Sequence, residues 1–222
     1  MCMSNFFLAF EGLDGSGKTT ISNLVYKKLL TKIEEQNLLF IDKKNPEKKT
    51  DYIEYHSNNI REILWDYPEN APMHELGDMH WLYLLSSWFH LLDYTQVKPG
   101  LHTGKSIILE SWCYKYLVRY RMKSDYMFEA MQAAFFNLTN PFPVIYLDID
   151  PKVAAERKKT FGFSESGGMD GLKGNSKENF IIYQNTLREI YYDFAQKGGW
   201  HVIDVSNKSE DEIANEVIGI IT

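Results

Sequence analysis

The chain has 222 residues, of which 44% are apolar and 14% aromatic. That is enough for one large packed domain, and it excludes a disordered chain. The formal net charge of −6 excludes nucleic-acid binding by bulk charge, so a phosphate ligand needs a local cluster of cations.

Cysteine usage points the same way. Cys2 and Cys113 are the two cysteines, with no disulfide framework and no zinc spacing, so a reducing compartment is expected. Met1–Ser4 carries no basic n-region, and Asn5–Glu11 is too short for a signal core. The richest apolar stretch, Trp81–Leu92, is interrupted by Ser86, Ser87 and His90 and is too short to span a bilayer. The expectation is a cytoplasmic protein that engages neither membrane nor nucleic acid polymer.

In chain order, Phe6–Phe10 is a short apolar run that reads as a buried parallel strand. A glycine turn follows over Gly12–Gly17. From Lys18 the period changes, with Ile21, Leu24, Val25 and Leu29 on one helical face. Leu38–Asp42 is a second strand. Asp51–Trp65 and Met73–Val97 read as helices around a Pro68/Pro72 loop, and Pro99–Gly104 reads as a turn. Ser106–Leu109 is a third strand ending on Glu110. Helices fill Tyr114–Asn137 with a break near Ser124, and Val144–Asp148 is a fourth strand.

Asp150 caps a helix with Pro151 in its first turn, and that helix is expected to end near Thr160. Residues 161–175 hold five glycines and little apolar pattern, which predicts a mobile loop. A long helix follows with Phe180, Tyr183, Leu187, Ile190 and Phe194 on one face. Trp200–Asp204 is a fifth strand, and Ser209-x-x-Glu212 is a capping box for the last helix. The alternation predicts an α/β fold with a parallel sheet, helices on both faces, and ligands beyond the carboxyl ends of the strands.

One motif carries chemistry on its own. Gly12-Leu13-Asp14-Gly15-Ser16-Gly17-Lys18-Thr19 matches G-x-x-x-x-G-K-S/T, placed between a buried strand and an amphipathic helix. The glycines let successive backbone N–H groups turn inward toward phosphate oxygens, and the helix start adds its positive end. Gly12, Asp14, Gly15, Ser16, Gly17, Lys18, Thr19 and Thr20 are the candidate nucleotide-binding residues. Lys18 is placed to reach the β- and γ-phosphates, and the Thr19 hydroxyl is a candidate Mg²⁺ ligand. Glu110, ending an apolar strand, is a second candidate for the metal or for orienting the acceptor.

The residues Phe10-Glu11-Gly12-Leu13-Asp14-Gly15-Ser16-Gly17-Lys18-Thr19-Thr20 resemble the opening of the thymidylate kinase family. The resemblance continues in Lys98-Pro99-Gly100-Leu101-His102-Thr103-Gly104, in Val144–Pro151 and in Glu156-Arg157. It implies a P-loop NTPase three-layer sandwich with a five-stranded parallel sheet, one domain over residues 1–222, and a lid at about 160–175. It also implies ATP, Mg²⁺, a nucleoside monophosphate acceptor and a homodimer. Asp14 then approaches the transferred phosphoryl group. Arg157, which precedes the lid together with Lys158 and Lys159, is then the candidate to supply transition-state charge, the two lysines being left open.

The acceptor half departs from that pattern. The family's R-E-P motif corresponds to Lys44-Asn45-Pro46, which makes Lys44 the acceptor-phosphate cation without the bidentate fork of arginine. The family's D-R motif is here Glu110-Ser111. Its base-stacking Phe and base-reading Arg fall near Leu85 and Phe89, so Phe89 is a candidate substrate contact. Arg119 and Arg121 are candidate replacements for the lost arginines. Two alternatives follow: a kinase of a nucleoside or other unphosphorylated metabolite, with Glu110 as base, or a nucleotide-binding protein without turnover. The six histidines show no metal spacing, and Asp148 and Asp150 read as a strand end and a helix cap.

Overall fold

The structure is a computed structural model that describes residues 5–47, 49–68 and 71–221. The Met1–Ser4 reading and Cys2 lie outside the described residues. Strand β1 (Phe7–Gly12) is buried along its length. It lies between β3 (Ser106–Leu109) and β4 (Val144–Asp148), with β2 (Leu38–Ile41) and β5 (His201–Asp204) at the edges. Every pairing is parallel, in the order β2-β3-β1-β4-β5.

The period of two along β1 divides the core into two layers. Leu8 and Phe10 pack with Ile21, Val25, Leu187 and Tyr191 on one face. Phe7 and Ala9 pack with Trp88, Phe89 and Trp112 on the other. Helices α1 (Lys18–Leu29), α8 (Lys177–Gly198) and α9 (Glu210–Ile221) contribute to the first layer. Helices α2 (Asp51–Trp65) and α3 (Gly77–Leu92) contribute to the second.

The 73–97 helix differs from its sequence reading. It is a 3₁₀ turn over Met73–Leu76, then α3, then a π turn over Asp93–Val97. Gly77 at φ 72° separates the first two pieces. The expected turn at Pro99–Gly104 is instead a short helix, α4 (Lys98–His102), and the reversal is confined to Thr103 and Gly104. Proline in a first helical turn loses no hydrogen bond, so Pro99 continues the chain's helical path.

The break near Ser124 falls between α5 (Tyr114–Lys123) and α6 (Asp125–Ala134), where the Ser124 hydroxyl accepts from Met127 N at 3.1 Å. Asp150 caps α7 (Pro151–Arg157) by accepting from Lys152 N at 2.7 Å. This helix ends at Arg157, short of Thr160. The Ser209–Glu212 capping box is reciprocal, at 2.8 and 3.3 Å.

Asp148 at the end of β4 is structural. Its carboxylate accepts from Arg188 Nε at 2.7 Å and Nη2 at 2.6 Å, and from the Tyr192 and Tyr146 hydroxyls. Burial acts to raise this carboxyl, but the Arg188 and tyrosine hydrogen bonds outweigh it and hold it below the ordinary range. A depressed carboxyl contributes stability above its unfolded value of about 3.9, and that stability is lost as pH falls through the folded value. Asp148→Asn is therefore expected to lower the unfolding free energy by about 1–3 kcal/mol at neutral pH. The gap to wild type should narrow only once pH falls below the unfolded value of about 3.9 and through the depressed folded value, as urea melts across a pH series will report.

Candidate active site

The sheet order sends the loop after β1 to the centre of the carboxyl edge, where it meets a cleft of about 490 Å³. Gly12, Gly15 and Gly17 have φ of 150°, 88° and 90°. At Gly12 a Cβ would lie 2.6 Å from Leu147 O, so the chain can turn there only as glycine. Lys18 is buried, and its ammonium crosses the loop to donate to Gly12 O at 2.9 Å and Leu13 O at 2.7 Å. The Ser16 hydroxyl is buried without a protein partner. Thr19 and Thr20 are exposed on the cleft at the start of α1.

Three carboxylates face these cations. Asp14 takes Lys115 Nζ at 2.6 Å and lies 3.5 Å from Arg119 Nη2, while its backbone N–H donates to Gln184 Oε1 at 3.2 Å. Burial would raise the Asp14 carboxyl, but Lys115, Lys18 and Arg119 together hold it far below the carboxylate range. Glu11, fully buried beneath the cleft, accepts from Trp112 N at 2.8 Å. Its burial prevails over Lys43, Lys18 and the Trp112 N–H, and pushes the carboxyl up to about 7. Glu110 lines the cleft and acts electrostatically on both Lys18 and Lys43. Burial lowers the Lys18 ammonium against the pull of Asp14, Glu11 and Glu110.

Both Lys43 and Lys44 line the cleft beyond the glycine loop. Lys44 is exposed, with its ammonium 5.7 Å from the Trp65 ring. The buried cation of that loop is Lys43, at 8% exposure, with burial and the neighbouring Lys115 lowering its ammonium to about 8. Strand parity carries the signal: Ile41 is buried, Asp42 exposed and Lys43 buried, a period of two running past the end of β2. The loop is held from α3 and the π turn. The Trp88 indole donates to Lys43 O at 2.9 Å, and Gln96 Nε2 donates to Glu47 O at 2.7 Å.

Phe89, the expected substrate contact, does not line the cleft. It is fully buried against Trp112, Tyr116 and Phe135, with ring centroids 5.3–5.6 Å apart. The aromatic residues that do line the cleft are Trp65, Tyr67, Trp81 and Tyr116. Arg119 reaches Asp14 from the buried face of α5, whereas Arg121, two residues on, turns away to pair with Asp125 over the Phe128 ring. Lys115, missed from sequence, shares the Arg119 face at i, i+4.

The 161–175 segment closes one side. Its Ser164 carbonyl accepts from Arg119 Nη2 at 3.0 Å, its Glu165 carboxylate pairs with Lys158 at 3.0 Å, and Gln184 Nε2 donates to Glu165 O at 2.9 Å. Lys123 bridges Asp78 at 3.0 Å and Asp170 at 2.5 Å. Arg157 stands at the rim of the cleft, with Nη2 donating to Val205 O at 2.9 Å and Ser206 O at 3.2 Å. Its guanidinium is thus partly engaged by the chain beyond β5.

A glycine loop gripping a buried lysine at the central strand, opening into a cleft of cations and carboxylates, defines a P-loop phosphotransferase. Residues 10–217 match the family model described as thymidylate kinase. The chain belongs to the thymidylate kinase family. It is 24% identical over 222 residues to a thymidylate kinase from Plasmodium falciparum, covering 97% of this chain and 89% of the relative. It is 25% identical over 217 residues to one from Fervidobacterium nodosum, with 96% and 97% covered. A crystal structure of thymidylate kinase from Ehrlichia chaffeensis shares the fold at TM-score 0.64 and 19% identity, over 98% of each chain. The family brings ATP-dependent phosphoryl transfer to a nucleoside monophosphate, in preference to an unphosphorylated metabolite or to binding without turnover. Among the described residues no helix is long and apolar enough to cross a membrane.

Proposed function

We propose that the protein transfers the γ-phosphoryl group of Mg²⁺-ATP to a phosphate oxygen of a nucleoside monophosphate, giving ADP and a nucleoside diphosphate. The observation that carries this reading is the continuity of one cleft, from Lys18 and the glycine loop through Lys43, Lys115 and Arg119 to an aromatic end. Lys18 exchanges its two carbonyl acceptors for the β- and γ-phosphate oxygens of the donor. Lys43 holds the acceptor phosphate, with Lys44 at its outer edge. Both roles are positioning and charge neutralisation, since the protein supplies no covalent step. The new P–O bond forms as the bond to the bridging oxygen breaks, and charge moves onto that oxygen next to Lys18 and the loop N–H groups.

The donor set suits magnesium. Thr19, Asp14 and Glu110 offer hard oxygens at one cleft, and no cluster of three or more ligating side chains occurs among the described residues. That agrees with an ion held largely by phosphate oxygens and water. When bound, Mg²⁺ supplies charge neutralisation across the donor phosphates. Asp14 also holds Lys115 and Arg119 toward the transferred group. Arg157 and Lys158 stand at the cleft rim beside the glycine-rich segment, which we read as the lid of a single domain. Its closure excludes water and limits hydrolysis. Exposed Tyr52, Tyr55 and Ile63 of α2 and Tyr83 of α3 support a homodimer, and we place the enzyme in the cytoplasm.

The test is to incubate the protein with Mg²⁺-ATP and a panel of nucleosides, nucleoside monophosphates and unrelated metabolites, and to measure ADP. Turnover confined to nucleoside monophosphates is expected. Turnover with nucleosides alone, or tight ATP binding without turnover on any acceptor, overturns the reading.

A further inference from the structure

We infer that the acceptor's base is recognised by its faces and not by its edge, so that the enzyme phosphorylates purine and pyrimidine nucleoside monophosphates alike. The inference rests on the nucleotide kinase reading and names the breadth of its substrate. Away from the glycine loop, the cleft ends in a box of Trp65, Tyr67, Trp81, Tyr116, Met73 and Met169. These walls offer π-faces and thioethers, which every base can contact.

Of the groups able to read a base edge, the Trp81 indole and one terminal nitrogen of Arg119 are engaged within the protein. Trp81 Nε1 donates to Met73 O at 2.9 Å. Arg119 Nη2 is engaged by Ser164 O at 3.0 Å and faces Asp14 at 3.5 Å. The Tyr67 hydroxyl both donates and accepts, so it meets any base edge without choosing among them.

The size of the box is also adjustable. Met73, Trp81 and Met169 also line a second cavity of about 640 Å³. Two of these three wall residues are methionines, the side chains that repack most readily. A bicyclic base displaces them into space that already exists, so ring size selects weakly.

Apolar pockets separate ligands by about 10–200-fold, whereas sites built on paired hydrogen bonds separate them by about 10⁴–10⁵. The experiment measures kcat/KM for dTMP, dCMP, dAMP and dGMP at saturating Mg²⁺-ATP. All four values are expected to lie within about 200-fold of one another. One base favoured by more than about 10³-fold over the other three overturns the inference while leaving the kinase reading intact. Absence of turnover with every acceptor overturns the kinase reading, and the inference with it.

Two variants test the box itself. Trp81→Leu should lower kcat/KM for all four acceptors by a similar factor, roughly 5- to 100-fold for one lost stacking wall, with KM for ATP unchanged. Met169→Ala, at a half-buried position in a 3₁₀ turn over Gly168–Asp170, should raise the purine-to-pyrimidine ratio by a few-fold, roughly the effect of one or two methylenes of space. A loss confined to a single base in either variant overturns face recognition.

Discussion

Lys18→Ala is expected to lower kcat/KM by about 10²–10³-fold, the scale for one preorganised transition-state donor. Fold stability should stay close to wild type, because the substitution has two opposed effects. It frees the Gly12 and Leu13 carbonyls that the ammonium caps at 2.9 and 2.7 Å. It also removes a buried cation whose desolvation lowers its own proton affinity. Coupled ADP assays and a thermal melt on the same preparation separate the two. Retention of activity would place the donor site elsewhere. A collapse of the melt would make Lys18 a structural residue.

The second large effect belongs to the acceptor. Lys43→Ala is expected to raise the acceptor KM by about 10- to 100-fold, the cost of losing charge-assisted hydrogen bonds to a phosphate. Lys44→Ala, at an exposed position, is expected to change it by less than about threefold. Lys43→Arg should restore most of the loss, since the charge returns in a form suited to phosphate. Acceptor KM for the wild-type enzyme should climb as pH rises beyond about 8, where the buried Lys43 ammonium gives up its proton. An equal effect of the two lysine-to-alanine variants would return the role to the exposed neighbour.

What the sequence made legible divides along contiguity. The glycine loop is one unbroken run in a strand–turn–helix setting that is itself periodic, so its place could be read directly. The sheet was legible for the same reason, since β1, β3 and β4 are short apolar runs whose length and flanking turn residues favour strand over helix. The acceptor half is assembled from residues far apart in the chain: Lys43 after β2, Trp65 on α2, Trp81 on α3, and Lys115 and Arg119 on α5.

Some signals for that half were present but local. Lys43 lies on the inward parity of β2. Gln184 interrupts the buried face of α8 one turn after Phe180, and a polar group buried there has a partner to find, in this case Asp14 N. Phe89 was misplaced because counting residues from a motif fixes position and not facing. The 73–97 stretch departs from a uniform α-helix at Gly77 and at the π turn, and only packing decides which aromatic residues then meet the cleft.

The hold of Trp88 and Gln96 on the 42–47 loop bears on how this enzyme could be rebuilt. A loop tethered by its own backbone carbonyls to two side chains of another element is not a detachable module. Grafting a different acceptor loop after β2 would bring a new cation, but the foreign chain would arrive without its moorings at residues 88 and 96. Loop and helix constitute one unit of inheritance, and a change of acceptor must be engineered, or evolved, in both together.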